Sequence, residues 1–235
     1  MDNLYIVMPA YNEEANIESV VEEWYPHIAD KGSESRLVIA DSGSTDRTHS
    51  ILLSLKKRYP RLEILSDTGK QHGPKLMALY QYAICMDKVE YVFQTDSDGQ
   101  TNAAEFETFW KLRKQYEAVI GKRNQRGDGI FRLLVERVLC MILYFIFGVR
   151  VPDANAPFRL MKTSLIEKYL NKMPSDYNLP NVMLTTYFKY YSENIRFIQI
   201  SFKPRQGGKN SINLVKIMKI GWKALRDFYC LKEKL

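Results

Sequence analysis

Two carboxylates carry the most chemistry in this sequence. Asp96 and Asp98 follow the apolar run 91–95 and stand two residues apart, ahead of Gly99 and Gln100. In an extended segment such spacing points both side chains the same way, and Gly99 lets the chain turn sharply behind them. Paired carboxylates at a strand end suit a hard divalent cation that keeps several waters and also binds phosphate oxygens. Such an ion neutralises a diphosphate as it leaves. The same residue types also suit a solvated turn; the place at the end of the fourth apolar run favours the metal.

Three further clusters end apolar runs. After run 4–8 comes Pro9-Ala10-Tyr11-Asn12-Glu13-Glu14. Pro9 is expected to close the strand and Asn12 to cap the next helix. Tyr11 can stack on a base and Glu13 can bind a ribose or a base edge, although the acids also suit a helix's first turn. After run 36–40 comes Asp41-Ser42-Gly43-Ser44-Thr45-Asp46. Ser44 or Thr45 is expected to cap and Asp46 to favour the helix dipole. Asp41 has no such local task, which leaves it to accept a hydrogen bond from a ligand. Finally, Gly69-Lys70-Gln71-His72-Gly73-Pro74-Lys75 puts two lysines at a helix start, an arrangement that suits phosphate. It lacks the P-loop pattern, which argues against P-loop nucleotide hydrolysis. His27, His49 and His72 share no ligand spacing and are expected to be local hydrogen-bonding residues.

The elements that must hold these clusters alternate. Strands are expected over 4–8, 36–40, 62–65, 91–95 and 118–120, with helices over 13–28, 44–57, 76–86 and 104–116. Short strands apolar on both faces, separated by helices, imply a parallel sheet covered on both sides. Ligands of such sheets sit at the strands' carboxyl ends, where all four clusters fall. The second half reads as a long helix over 130–147, apolar nearly all round and so expected to be buried core. An irregular stretch 151–157 follows, then helices around Leu165 and Leu184, a strand over 196–202, a loop over 203–210 and a final helix over 211–231. There is no internal repeat and no linker, so one α/β domain is expected.

Charge is localised. The chain of 235 residues has a net charge of +7, and from Lys203 onward nine Lys/Arg face only Asp227 and Glu233, so the whole excess lies there. A basic tail implies an anionic partner: phosphate, a lipid headgroup or nucleic acid. In the last helix Leu214, Ile217, Met218, Gly221, Leu225 and Phe228 follow helical spacing beside Lys216, Lys219, Lys223 and Arg226. That pattern fits an interfacial helix on anionic lipid, or a terminal helix packed on the domain with a solvated basic face. No stretch reaches the roughly 20 apolar residues of a transmembrane helix. Three scattered cysteines, Cys85, Cys140 and Cys230, disfavour a zinc site or a disulfide framework and point to a reducing compartment.

Taken in order, Val7 to Glu14, Asp41 to Asp46 and Thr95 to Gln100 resemble the family 2 glycosyltransferases, whose fold is GT-A. Gly99-Gln100, Ile120-Gly121-Lys122-Arg123, the stretch from Asp153 to Phe158-Arg159, and Arg205-Gln206-Gly207-Gly208-Lys209-Asn210-Ser211 are similar to the dolichol- or polyprenyl-phosphate sugar synthases in particular. Ser42 departs from the pattern, since the family often has a second Asp there. The resemblance implies an inverting transfer from a UDP- or GDP-linked sugar, with residues 1–121 as the nucleotide-sugar and metal half and 122–235 as the acceptor half. Pro9, Tyr11, Glu13, Asp41, Lys75 and Ser97 would line the nucleotide-sugar pocket. Asp96 and Asp98, with Gln100 beside them, would hold Mg2+ or Mn2+. Arg123 and Arg132 would contact phosphate, and Arg205 and Lys209 would close over the donor diphosphate. Asp153 is the candidate general base, needed for a hydroxyl acceptor and hardly for an anionic phosphate. The acceptor is expected to be a polyprenyl phosphate or the hydroxyl of a growing glycan, reached from the cytoplasmic face of the membrane through residues 211–235. A sugar nucleotidyltransferase would resemble a Gly-rich, Arg- and Lys-bearing loop after the first strand, which Pro9 to Glu13 is not. A nucleic-acid binder would use the tail without Asp96, and no nucleic acid is expected.

Overall fold

A computed structural model describes residues 1–123, 130–203, 214–233 and 235, and the side chains of all of these except 130–134, 214–220 and 222. In chain order the elements are β1 (Leu4–Ala10), α1 (Ile17–Trp24), α2 (Pro26–Ala29), β2 (Arg36–Asp41), α3 (Thr48–Arg58), β3 (Leu62–Leu65), α4 (His72–Ile84) and β4 (Tyr91–Thr95). A 3-10 turn over Ala103–Glu105 then leads to α5 (Phe106–Leu112), β5 (Ala118–Arg123), α6 (Ile130–Phe147), β6 (Phe158–Lys162), α7 (Thr163–Leu170), α8 (Pro180–Tyr190), β7 (Ile195–Ile200) and α9 (Leu214–Lys232). The strands form one seven-stranded sheet in the order β3-β2-β1-β4-β6-β5-β7. It is parallel except for β6, which runs antiparallel to both β4 and β5.

The β1 run is apolar throughout because both of its faces are covered. Tyr5 and Val7 join the core that takes in α4, α7 and α8, while Leu4, Ile6 and Met8 join the core under α1, α3 and α5. Trp24 anchors the second core, with its ring centroid 5.4 Å from Phe93 and 5.9 Å from Phe158. The helix expected over 13–28 begins only at Ile17 and breaks before Pro26, which opens α2 instead; proline cannot continue the helical ladder.

Two expectations about strands are corrected. Pro9 does not end β1, which continues to Ala10. Pairing of β1 with β4 stops at Val7, whereas pairing with β2 runs on to Ala10 and Asp41. Pro9 therefore lies where β1 has one partner, and its missing N–H breaks no pairing on the other side. The strand β6 was not expected: the buried Arg159 interrupts the apolar residues Phe158, Leu160 and Met161, and the strand ends on Lys162.

The long helix α6 is also not buried all round. Leu143, Ile146 and Phe147 enter the core, but Val138, Met141, Tyr144 and Phe145 are exposed. In α9, Ala224, Phe228 and Leu231 are buried, with the Phe228 ring 6.2 Å from that of Phe147. From Ala224 onward the apolar face of α9 is thus spent on the domain, leaving Lys223, Arg226 and Lys232 exposed. Among the described residues no helix is long and apolar enough to cross a membrane.

Candidate functional site

Because β1 pairs in parallel with both β2 and β4, the carboxyl ends of these three strands stand side by side. The loops that leave them are stitched together. The Ser97 hydroxyl, just past β4, donates to the Pro9 carbonyl at 2.8 Å. Asn12 adopts a left-handed backbone, φ 54°, a conformation that Asn tolerates better than most residues. Its backbone N–H donates to Ser44 Oγ at 3.0 Å, and its Oδ1 accepts from the Thr45 N–H at 2.8 Å. Asn12 is therefore a brace between two loops and not the helix cap expected of it. Ser44 and Thr45 are likewise used in this brace, and α3 starts later, at Thr48, whose N–H donates to Asp46 Oδ1 at 3.0 Å.

Asp41 is only 3% exposed and, contrary to expectation, has local partners. Its Oδ1 accepts from Ser44 Oγ at 2.5 Å, and its Oδ2 lies 3.0 Å from His49 Nδ1. The carboxylate is held in one orientation at the end of β2. Glu13 is buried beside this edge, with Oε2 accepting from Asn16 Nδ2 at 2.9 Å and its backbone N–H donating to Thr48 Oγ1 at 2.8 Å.

Lys75 enters from the first turn of α4. It is 1% exposed, and its Nζ donates to the Ala10 carbonyl and lies 5.2 Å from the centre of the half-exposed Tyr11 ring. Burial pulls its pKa down to about 8, with the negative charge of Asp41 acting in the opposite direction. The start of α4 is fixed from behind, since a Cβ on Gly73 would come within 2.4 Å of the Asn178 backbone. Lys70 runs its aliphatic stem across Gly43, where an added Cβ would stand 2.8 Å from Lys70 Cγ.

The two aspartates follow directly. Both are half-buried; Asp98 Oδ1 accepts from the Gln100 N–H at 3.1 Å, and Gly99 takes φ 71° in the turn between. Burial, then the charge of Asp98, pushes the Asp96 pKa up to about 8, while Arg123 and Arg159 pull the other way. Two carboxylates that repel each other at one strand end are a donor set that a divalent cation would relieve, so their chemistry fits Mg2+ or Mn2+. Among the described residues no group of three or more His, Cys, Asp or Glu gathers to hold a metal. An ion held by Asp96 and Asp98 would keep positions for water and phosphate oxygens. Gln100, expected beside the ion, instead donates through Nε2 to the Lys203 carbonyl at 2.9 Å and accepts from the Lys203 N–H at 2.8 Å. It pins Lys203 to the aspartate turn.

Behind Asp96 lies a buried polar chain that sequence reasoning missed. Gln94 Nε2 approaches Asp96 Oδ1 at 3.4 Å; Asn181 Nδ2 donates to Gln94 Oε1 at 2.9 Å, and the Tyr80 hydroxyl donates to Asn181 Oδ1 at 2.7 Å. The fully buried Arg159 adds donors to the Ala156 carbonyl at 2.8 Å and the Asn181 carbonyl at 3.0 Å. The available signal was a Gln and an Arg inside apolar strands, polar groups that are not buried without partners.

On the far side, Arg123 at the end of β5 grips Asp153. Its Nε and Nη2 each reach a different carboxylate oxygen at 2.7 Å, Glu136 Oε2 lies 3.8 Å from Nη2, and the guanidinium covers the Phe202 ring at 5.4 Å. Asp153, the expected general base, has both oxygens held by this fork. Arg123 and Arg159 both bear on the charge of Asp96. The side chain of Arg132, and all of Arg205 and Lys209, lie outside the described residues.

Residues 5–170 match the family model described as Glycosyl transferase family 2. Among curated proteins, the chain is 29% identical over 130 residues to the dolichyl-phosphate beta-glucosyltransferase ALG5A of Trichomonas vaginalis, a match that covers 52% of this chain and 38% of the relative. It is 22% identical over 222 residues to the undecaprenyl-phosphate 4-deoxy-4-formamido-L-arabinose transferase of Pectobacterium carotovorum, covering 93% of this chain and 65% of the relative. The chain thus spans less than two thirds of either relative's length. Among solved structures, glucosyl-3-phosphoglycerate synthase of Mycobacterium tuberculosis, in complex with Mn2+, UDP-glucose and phosphoglyceric acid, superposes with a TM-score of 0.71 at 17% identity, over 99% of this chain and 80% of that one. The likeness establishes the GT-A fold.

Proposed function

The chain belongs to glycosyl transferase family 2, and from that premise we propose that it moves a sugar, with inversion, from a UDP- or GDP-linked donor to a polyprenyl phosphate, with Mg2+ or Mn2+ held by Asp96 and Asp98. The observation that carries this reading is the convergence of Asp41, Glu13, Lys75, Ser97 and the two aspartates on the carboxyl edge of β1, β2 and β4. Residues 1–121 form the donor half in this reading, and residues 122–235 the acceptor half.

The division of labour follows from the contacts. Asp41, fixed by Ser44 and His49, offers a rigid acceptor for a base or ribose, and Tyr11 offers a ring face. Lys75 makes one hydrogen bond among the described residues, so its ammonium retains donor capacity for a donor phosphate or sugar oxygen. When bound, the divalent ion supplies charge neutralisation for the departing diphosphate. Pro9 and Ser97 set the distance between the β1 and β4 edges. Gln100 holds Lys203, two residues before Arg205 in the sequence.

The acceptor side supports a phosphate nucleophile over a hydroxyl. A hydroxyl needs a base to take its proton, and protonating Asp153 would break two charge-assisted bonds to Arg123. An anionic phosphate needs only to be held, and Arg123, oriented by Asp153, is a fixed cation for that purpose. The curated relatives act, by their names, on dolichyl and undecaprenyl phosphate. Exposed free thiols at Cys85 and Cys230 fit work in a reducing compartment such as the cytoplasm.

The test is a thermal-shift screen of nucleotide sugars with Mn2+ present. A true donor at a hundred times its dissociation constant adds ~2.7 kcal/mol of stability. Stabilisation by UDP- or GDP-sugars that disappears on chelation supports the reading. Indifference to every nucleotide sugar, alongside stabilisation by nucleic acid, rejects it.

A further inference from the structure

The outward face of α6 is apolar where it meets solvent. Phe145 is 75% exposed and Met141 53% exposed, and Val138 and Tyr144 are exposed beside them. At 3.6 residues per turn, Val138, Met141 and Phe145 fall on one stripe, opposite Leu143, Ile146 and Phe147, which are buried. A run of large exposed apolar groups along a helix marks a contact surface.

The charges around it are positive. Arg137 and Arg150 are exposed next to the stripe, and the Arg150 guanidinium lies 5.1 Å over the Tyr144 ring. Glu136, the acid within α6, is turned inward, where it accepts from the Ala154 N–H at 2.8 Å.

We infer that the Val138–Met141–Phe145 stripe is where the protein docks on an anionic phospholipid bilayer. The apolar side chains enter the acyl boundary, and the flanking cations meet the headgroups. A second copy of the chain fits less well, since a two-fold contact across α6 gathers two copies of Arg137 and Arg150 along one seam. The surface is also well placed. Glu136 and Arg123, 3.8 Å apart, lie on the inner side of the same helix, so lipid on the outer side is about one helix diameter, ~10 Å, from the acceptor residues. The inference names a membrane partner for the lipid acceptor proposed above. Its test uses neither donor nor acceptor, so the two ideas can fail separately.

The experiment is co-sedimentation of the full chain with vesicles of equal parts phosphatidylcholine and phosphatidylglycerol. The double variant Met141→Ser/Phe145→Ser is expected to lower the partition constant by about tenfold or more, the consequence of removing two large apolar groups from lipid. Its melting temperature should not fall, because both side chains are exposed in the free protein. Arg137→Glu/Arg150→Glu should weaken binding to these vesicles but not to phosphatidylcholine alone. Unchanged binding by the Ser double variant overturns the inference. So does a wild-type chain that ignores vesicles and sediments as a dimer that the Ser substitutions dissociate.

Discussion

The guanidinium of Arg123 meets both carboxylate oxygens of Asp153 at 2.7 Å, and the two side chains are nearly sealed from solvent, 9% and 4% exposed. A buried fork of this kind loses much when one partner is removed, because the other is left as an unpaired buried charge. Asp153→Asn is expected to destabilise the fold by about 3 kcal/mol or more in urea unfolding. Adding Arg123→Met to it should restore part of that loss. Turnover of both variants should fall without loss of the acidic limb of the pH–rate profile, which a general base would set. Disappearance of such a limb in Asp153→Asn alone would instead make Asp153 the base.

Lys75 links stability to function with opposite signs. Its pKa falls from 10.5 in the unfolded chain to about 8 in the fold. Between those values the unfolded state binds more protons, so the wild type gains stability as pH rises from 8 to 10.5, and below pH 8 the full penalty of the buried charge applies. Lys75→Met should therefore be more stable than wild type at pH 7 by up to about 3 kcal/mol, a gap that closes by pH 10.5. The same variant should bind a nucleotide diphosphate about tenfold more weakly or worse. Denaturant melts across this pH range, with titration of UDP and GDP, check both halves.

The chain from Tyr80 through Asn181 and Gln94 to Asp96 is fully interior at its first three members. Asn181→Leu leaves the Tyr80 hydroxyl and the Gln94 carbonyl without their partner. The expected loss is about 2–4 kcal/mol from two orphaned buried groups, together with weaker Mn2+ binding because Asp96 loses its anchored neighbour. Urea unfolding and calorimetric titration of Mn2+ read these separately.

The alternation of strands and helices was legible because the leading strands of the first half, 4–8 and 37–40, are apolar on both faces. The clusters after β1, β2 and β4 were legible because Pro, Asn, Asp and Gly end those runs. What escaped depended on partners distant in sequence. Asp41 gains Ser44 and His49 only once α3 folds back over the loop. Arg159 finds its partners only once the Asn181 and Ala156 carbonyls close around it. The outward face of α6 carries the same residue types as its inward face, so composition could not tell lipid-ready surface from core. Periodicity likewise could not show that α9 spends its apolar side on Phe147.

The central claim rests on the cation at Asp96 and Asp98, and Asp98→Ala tests it most directly. The measurement is transfer of sugar from UDP- and GDP-linked donors to a polyprenyl phosphate, with Mg2+ or Mn2+ and after chelation, alongside circular dichroism to confirm the fold. The expected result is wild-type transfer that chelation stops, and a folded Asp98→Ala variant slower by about a thousandfold, equivalent to roughly 4 kcal/mol of lost transition-state stabilisation. Wild-type turnover rates in a folded Asp98→Ala variant, or transfer indifferent to chelation, would contradict it.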